Sequence, residues 1–167
     1  YVEVAVPLLL NRDSLVGTGQ LPKFEEELYG VERDGLYLLP TAEVPVTNLH
    51  RDEILDGASL PRGYVASTPC FRREAGAHGK DTRGLIRVHQ FDKLEMESFT
   101  TAESGADEQF LIVAIQEYLV QSLGLPYRLI HVCTGDTGKP DYDQYDIECW
   151  VPSQGTYRET HTSDYMT

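Results

Sequence analysis

The stretch "FRREAGAHGKDTRGLIRVHQFDKLE" (Phe71–Glu95) determines how the rest of this chain is interpreted. Residues 72–87 hold five basic side chains and only two acidic ones, in a chain of 167 residues whose formal net charge is −13. The five basic residues are Arg72, Arg73, Lys80, Arg83 and Arg87. A basic cluster inside an acidic chain indicates a binding site for an anionic ligand.

Two segments around this cluster have the composition of β-strands. They are "GYVASTPCFRRE" (63–74) and "IRVHQFDKLEMESF" (86–99), and the loop between them contains Gly76, Gly79 and Gly84. Strand, glycine-bearing loop and strand together predict a long antiparallel hairpin.

Side chains alternate between the two faces of a strand, so the second segment predicts two different rows. The polar row is Arg87, His89, Phe91, Lys93 and Glu95, and the apolar row is Ile86, Val88, Leu94 and Met96. Phe91 and Glu95 are about 13 Å apart along an extended strand, and Arg72 can reach the middle of that span from across the hairpin. The spacing suits an aminoacyl adenylate, with its ring, phosphate and amino acid in that order. A solvated sheet surface is the alternative.

The segments before the hairpin predict shorter elements. "YVEVAVPLLL" predicts a strand that ends at Pro7, and residues 11–24 predict a connection with little helix. "LYLLPTAEVPVTNLH" predicts a strand that continues through Thr41-Ala42-Glu43 into a helix at about residues 43–50.

After the hairpin, "GADEQFLIVAIQEYLVQSLGLP" predicts a helix with Ser104 as its N-cap and Gly124 and Pro126 as stop signals. Its expected core stripe is Phe110, Leu111, Ala114, Ile115, Tyr118, Leu119 and Leu123. "YRLIHVCT", "YDIECWVP" and "TYRETHTS" predict three more strands. We therefore expect an α+β fold in which an antiparallel β-sheet is flanked by helices.

Composition excludes several classes of protein. A net charge of −13 argues against broad binding to DNA or to a membrane, since both are polyanionic. The longest aliphatic run, residues 111–115, is too short to span a bilayer. The spacing of Cys70, Cys133 and Cys149 fits neither a disulfide framework nor a zinc site, so we expect reduced thiols and a cytoplasmic protein.

These motifs resemble a known family. "FRREAG" followed by "RVHQFDKLEM" resembles motif 2 of the class II aminoacyl-tRNA synthetases, with Arg72, Glu74, Arg87, Phe91 and Glu95 at the family's positions. "GTGQLPKF", "LYLLPTAEV" and "YDIECWVPSQGTYRETHTS" resemble segments of the seryl-tRNA synthetases. Pro7 corresponds to the motif 1 proline near the dimer interface. The resemblance covers essentially residues 1–167 and implies a class II catalytic-domain fold.

The resemblance also implies a serine site. Thr41, Ala42 and Glu43, together with Glu95, line the expected pocket for L-serine. Arg72 holds the α-phosphate of ATP and the serine carboxylate, so that Arg72 and Glu95 are the expected catalytic residues.

For ATP, the resemblance implies that Glu74 reads the adenine edge, Phe91 stacks on its face and Arg87 binds the γ-phosphate. The other expected ATP-binding positions are Arg73, Val88, Glu159, Thr160, His161 and Thr162. Glu159 and Thr162 are the expected Mg²⁺ ligands, although residues three apart face opposite ways on a regular strand, so a bulge is needed to bring them together. Lys80 and Arg83 are expected near the tRNA acceptor end or pyrophosphate, with plain loop charge as the alternative.

The implied activity is that of a serine–tRNA ligase, which activates L-serine with ATP and, in the full-length protein, transfers serine to the 3′ end of tRNA(Ser). The family is expected to be homodimeric. We expect its tRNA-binding helical arm and its motif 3 to lie outside residues 1–167, which would cripple adenylation by this stretch alone. A catalytically inert nucleotide-binding or dimerisation fragment and a relative that loads amino acids onto a carrier protein are the alternatives.

Overall fold

The computed structural model of the chain describes residues 1–77, 84–138 and 140–166. Lys80 and Arg83, for which a tRNA or pyrophosphate contact is expected, lie outside the described residues. The chain divides into two compact units, Tyr1–Phe99 and Thr100–Thr167. Each unit is described separately below.

The described residues form nine strands, three α-helices and four short 3₁₀ turns. The strands are β1 (Val2–Glu3), β2 (Leu9–Asn11), β3 (Gly30–Val31), β4 (Leu36–Leu38), β5 (Arg62–Phe71), β6 (Gln90–Phe99), β7 (Tyr127–His131), β8 (Asp141–Val151) and β9 (Thr156–Met166). The helices are α1 (Arg12–Gly17), α2 (Glu43–Thr47) and α3 (Gly105–Ser122), and the 3₁₀ turns are Glu25–Glu27, Asn48–His50, Gly57–Ser59 and Ala75–Ala77.

The predicted hairpin is confirmed as the main feature of the first unit. β5 and β6 pair antiparallel over their full lengths, from Arg62 opposite Phe99 to Phe71 opposite Gln90, and β1 adds to the other edge of β5 in parallel. The second strand starts at Gln90 and not at residue 86, so the prediction was wrong for its first four residues. Beyond the ladder, the Arg72 N–H still donates to the His89 carbonyl at 3.0 Å, and Glu74 has a φ of 54°.

Two predictions for the N-terminal segments were wrong. The first strand is split into β1 and β2, and β2 pairs with β4 in a second sheet of order β2-β4-β3. Residues 12–17 form helix α1, because the Asn11 side chain caps it by accepting a hydrogen bond from the Ser14 backbone N–H at 2.9 Å. Leu15 of α1 is completely buried. The helix predicted at residues 43–50 is confirmed as α2 and the 3₁₀ turn that follows it.

The core of the first unit lies on one face of the hairpin. Even-numbered residues of β5 and odd-numbered residues of β6 share this face, since Ala66 pairs with Glu95 and Cys70 pairs with Phe91. Ala66 and Cys70 are completely buried beneath the segment that contains α2. We call this the inner face of the hairpin.

The second unit is a three-stranded antiparallel sheet, β7-β8-β9, covered on one face by α3. The stripe predicted for the core side of α3 was wrong, because Phe110 is 52% exposed, Tyr118 69% and Leu123 72%. The helix instead turns Gln109, Val113 and Val120 inward, together with Gly105. Gln109 Nε2 donates to the backbone oxygens of Asp143 and Ser163, so polar side chains fasten the helix to the sheet.

The architecture confirms the α+β class. Antiparallel pairing dominates the sheets of the described residues, and β1 with β5 is a parallel pair. Cys70, Cys133 and Cys149 are free thiols, of which Cys133 is exposed. Within the described ranges, no helix has the length and apolar character needed to cross a bilayer.

Candidate functional site

Three polar side chains form a closed triangle on the inner face of the hairpin. Thr41, which is 3% exposed, donates from Oγ1 to Glu95 Oε2 at 2.9 Å. Lys93 Nζ donates to Thr41 Oγ1 at 3.1 Å and forms an ion pair with Glu95 Oε2 at 2.6 Å. Two of the predicted serine-binding residues, Thr41 and Glu95, are therefore in direct contact, and the Glu95 carboxylate is fixed before any ligand arrives.

Ala42 and Glu43, the next two predicted serine-pocket residues, have different surroundings. Ala42 is completely buried and packs with Val46 and Ala66, so its side chain belongs to the core and its backbone is the part left to line a pocket. Glu43 is the first residue of α2, where a carboxylate interacts favourably with the positive end of a helix. Glu43 is partly buried.

Arg72 and Phe91 lie together along the same face. The Arg72 guanidinium lies 5.3 Å from the centre of the Phe91 ring, and its Nε donates to the Pro40 carbonyl at 3.2 Å. Pro40 precedes Thr41 directly, so Arg72 and the Thr41–Glu95 pair contact the same short segment. Phe91 and Glu95 therefore project to one face of β6, as the alternation predicted. Part of the Phe91 ring also packs against the core cluster that contains Cys70.

An open cleft of about 510 Å³ lies beside Arg72. Its lining includes three of the predicted ATP-binding residues, Arg72, Glu74 and Arg87. Sequence reasoning missed the other lining residues, which are Gln20, Phe24, Glu27, Leu28, Pro40 and Gly76. The predicted ATP-binding residues Arg73, Val88 and Phe91 are not part of this lining, and the Arg73 side chain is exposed.

Inside the cleft, Arg87 and Glu74 form a direct ion pair. A neighbouring carboxylate, Glu27, accepts hydrogen bonds from the backbone N–H groups of Ala75 and Gly76 at 3.0 and 2.8 Å. The Glu27 backbone oxygen also accepts from the Arg73 N–H at 2.8 Å. Glu27 therefore holds the turn that carries Arg73 and Glu74 in place. In the sequence it is one of three consecutive glutamates, a pattern typical of a solvated surface, which gave no signal for this role.

The second unit carries the other predicted ATP- and metal-binding residues, on β9. The pairing of β8 with β9 shifts by one residue, because Ile147 is opposite His161 while Glu148 is opposite Glu159. Thr160 is the extra residue of this bulge, and its hydroxyl donates to the Ile147 carbonyl at 3.2 Å.

The bulge has a direct effect on which side chains share a face. Glu159 is opposite Glu148 and Thr162 is opposite Asp146, and residues 146 and 148 face the same way on β8. Glu159 and Thr162 therefore lie on one face of the sheet, which meets the condition stated for them as joint ligands. Thr162 Oγ1 accepts from Gln144 Nε2 at 3.2 Å and donates to Asp164 Oδ1 at 3.1 Å.

His161 points to the opposite face of the same strand, where it is opposite the completely buried Ile147. Burial lowers the pKa of His161 below its ordinary value of 6.5. Its Nδ1 lies 2.9 Å from the Thr160 hydroxyl oxygen. His161 therefore lies on the other face of the sheet from Glu159 and Thr162, and Thr160 is the extra residue of the bulge between them.

Comparison with known proteins identifies the class of protein. The sequence model of the tRNA synthetase class II core domain (G, H, P, S and T) matches residues 24–166. The chain therefore belongs to the class II tRNA synthetase core-domain family.

Within this class the chain is similar to serine–tRNA ligases. It is 58% identical to the serine–tRNA ligase of Thermosynechococcus vestitus over 159 residues, which is 95% of this chain and 37% of that protein. The crystal structure of seryl-tRNA synthetase from Pyrococcus horikoshii complexed with ATP matches 99% of this chain and 37% of its own chain, with a TM-score of 0.94 and 42% identity. The cytoplasmic serine–tRNA ligase of Naegleria fowleri in complex with AMP matches 97% and 39%, with a TM-score of 0.90 and 33% identity. The chain thus spans less than two fifths of the length of these relatives.

Proposed function

We propose that this chain is the part of a serine–tRNA ligase that binds ATP and L-serine and joins them as seryl-adenylate. The observation that carries the proposal is the row on the inner face of the hairpin, from Phe91 beneath Arg72 to Glu95 held by Thr41. In the full-length protein, serine is then transferred to the 3′ end of tRNA(Ser). Both solved relatives contain an adenine nucleotide, and the relatives reported above are serine–tRNA ligases.

The serine end of the site depends on Glu95. Its carboxylate accepts from Thr41 and Lys93 and has capacity for further donors, which the ammonium and hydroxyl groups of serine supply. A pocket built to bond a hydroxyl discriminates strongly against alanine, because its buried polar groups are then left without a partner. Thr41 and Lys93 fix the position of the carboxylate and so reduce the cost of orienting serine.

Arg72 serves the phosphate end. Its Nε is bonded to Pro40, which orients the planar guanidinium while its terminal amino groups remain as donors for the α-phosphate and the serine carboxylate. As the carboxylate attacks the α-phosphorus in line, pyrophosphate leaves from the opposite side and negative charge grows on the phosphate oxygens. A fixed guanidinium stabilises that charge without having to reorganise.

The adenine and the outer phosphates are assigned to the cleft. Glu74 accepts from the adenine amino group and Arg87 binds the γ-phosphate. Phe91, which lies outside the cleft lining with Arg72 over its ring, is assigned as the stacking face for adenine where the cleft borders the row of Arg72 and Glu95. Arg87 and Glu74 are paired with each other, so in this proposal nucleotide binding replaces their mutual contact with one contact to each end of ATP.

The donor set on β9 fits Mg²⁺. Glu159 and Thr162 offer a carboxylate and a hydroxyl oxygen on one face of the sheet, and Mg²⁺ is typically held by one or two protein oxygens together with substrate phosphates. When bound, the ion neutralises phosphate charge during the displacement.

The proposal extends to the setting of the enzyme. We assign a homodimer, with Pro7 near the subunit interface, and a cytoplasmic location, where the free thiols of Cys70, Cys133 and Cys149 stay reduced. The tRNA-binding arm and motif 3 are assigned to parts of the full-length protein beyond these residues.

Calorimetry with a non-hydrolysable seryl-adenylate mimic tests the proposal. We expect the mimic to bind more tightly than ATP, and the Glu95→Ala variant to lose that advantage while its affinity for ATP is kept. The exposed Glu32→Ala variant is the matched control. Equal affinities for the mimic and ATP would favour a nucleotide-binding fragment without a serine site. A Glu95→Ala variant that binds the mimic as tightly as the wild type would refute the assigned role.

A further inference from the structure

Glu97 is a partly buried acid that the proposed mechanism does not use. It follows Glu95 by two residues on β6 and therefore lies on the same inner face, opposite Tyr64 of β5. Its Oε2 accepts a hydrogen bond from Thr47 Oγ1 at 2.8 Å. Its Oε1 is buried and has no hydrogen-bond partner among the described residues. An acid in this position needs a physical explanation, because burying a carboxylate is costly.

The contacts of Glu97 match those of Glu95. The segment that contains α2 is tied to β6 at two points, by Thr41 to Glu95 at 2.9 Å and by Thr47 to Glu97 at 2.8 Å. Thr41 lies just before α2 and Thr47 is its last residue, so the two bonds hold both ends of this short helix. The first bond belongs to the proposed serine pocket and the second lies behind it.

We infer that Glu97 is a positioning residue of the serine pocket, which fastens α2 to β6 through Thr47 and so fixes Thr41 against Glu95. This inference rests on the proposed function. Glu97 touches neither serine nor ATP in this arrangement, and its effect reaches the ligand through Thr41.

The protonation state of Glu97 determines whether its hydrogen bond with Thr47, which we call the tie, is kept. Burial raises the pKa of Glu97 from its ordinary 4.5 to about 8, against the lowering effect of the Thr47 bond. The charged or titratable groups that face it from the surrounding elements are Lys93, Glu95, Glu43, His50 and Tyr64. Glu43 and Glu95 raise the pKa further, and Lys93 lowers it. With a pKa of about 8, the protonated form of Glu97 predominates at neutral pH.

Above pH 8 the tie is expected to fail. An ionised Glu97 would be a buried carboxylate close to two others, and it gains solvation by turning toward water, which breaks its bond to Thr47. If serine binds only when Glu97 is neutral, its affinity falls up to about tenfold for each pH unit above the pKa. A direct attraction between ionised Glu97 and the serine ammonium would have the opposite effect and raise the affinity.

Hydrogen exchange tests the tie without any ligand. The reporters are the backbone N–H groups of Val46 and Asn48, which donate to Ala42 and Val44 within α2. We expect their exchange near pH 6.5 to be about tenfold faster in Glu97→Leu and in Thr47→Val, and unchanged in Glu97→Gln, whose amide oxygen still accepts from Thr47. Thr47→Val also covers the case in which Glu97→Leu does not fold. Wild-type exchange in Thr47→Val would overturn the inference.

Binding of the seryl-adenylate mimic at pH 7 and pH 9 tests the role in the serine pocket. We expect the wild-type chain to lose about tenfold more affinity for the mimic than Glu97→Gln loses, and both chains to change little for ATP. The α-amino group of the mimic also titrates in this range, but it does so equally for both chains. Glu32→Gln, an exposed acid, should behave like the wild type. Identical pH profiles for the wild type and Glu97→Gln, or tighter binding at pH 9, would overturn the inference. Failure of the wild type to bind the mimic at pH 7 would overturn the proposed function alone, because hydrogen exchange reports the tie independently.

Discussion

Replacing Glu97 with Gln should change how the stability of the first unit depends on pH. The wild-type acid binds its proton more tightly in the folded chain than in the unfolded chain, since burial raises its pKa to about 8 from 4.5. As pH rises from 4.5 to 8, the unfolded state gives up this proton first and the folded state becomes relatively less stable. The wild type therefore loses stability across that window, and Glu97→Gln, which cannot ionise, does not.

The size of the effect follows from the shift. Each pH unit inside the window costs the wild type up to about 1.4 kcal/mol relative to Glu97→Gln. Between pH 5.5 and pH 7.5 the difference in unfolding free energy should therefore change by about 2 to 3 kcal/mol. The amide group of Gln takes the place of an oxygen that is also without a partner in the wild type, so it adds only a small cost to the unfolding free energy. That cost does not depend on pH. The prediction is therefore tested by how the difference in unfolding free energy changes with pH, and not by the constant part of that difference.

Urea unfolding followed by circular dichroism at several pH values measures the slope. The two units of the chain can unfold separately, so the transition of the first unit must be identified through a destabilising variant in its core, such as Leu39→Ala. Glu32→Gln is the control for removing a charge at an exposed position. Parallel stability curves for the wild type and Glu97→Gln would refute the reasoning, since they would mean that Glu97 is ionised in the folded chain at neutral pH.

Three other variants test separate parts of the site. Thr41→Val removes the hydroxyl that joins Lys93 to Glu95 and should weaken binding of the seryl-adenylate mimic by about 10- to 100-fold with little change for ATP in calorimetry; equal losses for both ligands would contradict a serine-specific role. Arg72→Lys loses both the contact over the Phe91 ring and the planar fork and should weaken ATP binding at least about tenfold, whereas the exposed Arg33→Lys should not. Glu159→Gln should raise the Mg²⁺ concentration needed for half-maximal ATP binding about tenfold and leave binding without Mg²⁺ unchanged; an unchanged Mg²⁺ requirement would exclude Glu159 as a ligand. An NMR titration of His161 should give a midpoint below 6.5, and a midpoint at or above that value would show that burial does not control this ring.

The hairpin was predictable because its signals are local. Alternating side chains on both strands and glycines in the loop define the pairing, and the alternation correctly placed Phe91 and Glu95 on one face. The need for a bulge between Glu159 and Thr162 followed from alternation once the resemblance had made them joint Mg²⁺ ligands. The position of the extra residue, Thr160, did not, because it depends on the pairing of β9 with β8.

The sequence pattern did not predict which face of the hairpin points toward the core. Ordinary patterning places the apolar row of β6 in the core, yet Leu94 is 60% exposed, while Lys93 and Glu95 face inward. Lys93 and Glu95 are tolerated because Thr41, just before α2, is hydrogen-bonded to both, and Glu97 is tolerated because Thr47 of α2 donates to it. These contacts join residues about fifty positions apart in the sequence. The prediction of the core-facing residues of α3 was wrong for a similar reason. Gln109 donates to two backbone oxygens of the sheet and so takes a core position.

The reversed polarity of β6 has a consequence for protein engineering. A redesign that improves this strand by the usual rule would place leucine or valine where Lys93, Glu95 and Glu97 now stand, and would put charges at Leu94 and Met96. Such a sequence would look more stable by every local criterion, but it would have lost the acid proposed to bind serine and the two groups that position it. Stabilising substitutions are therefore better sought on the helices of this chain than on the inward row of this strand.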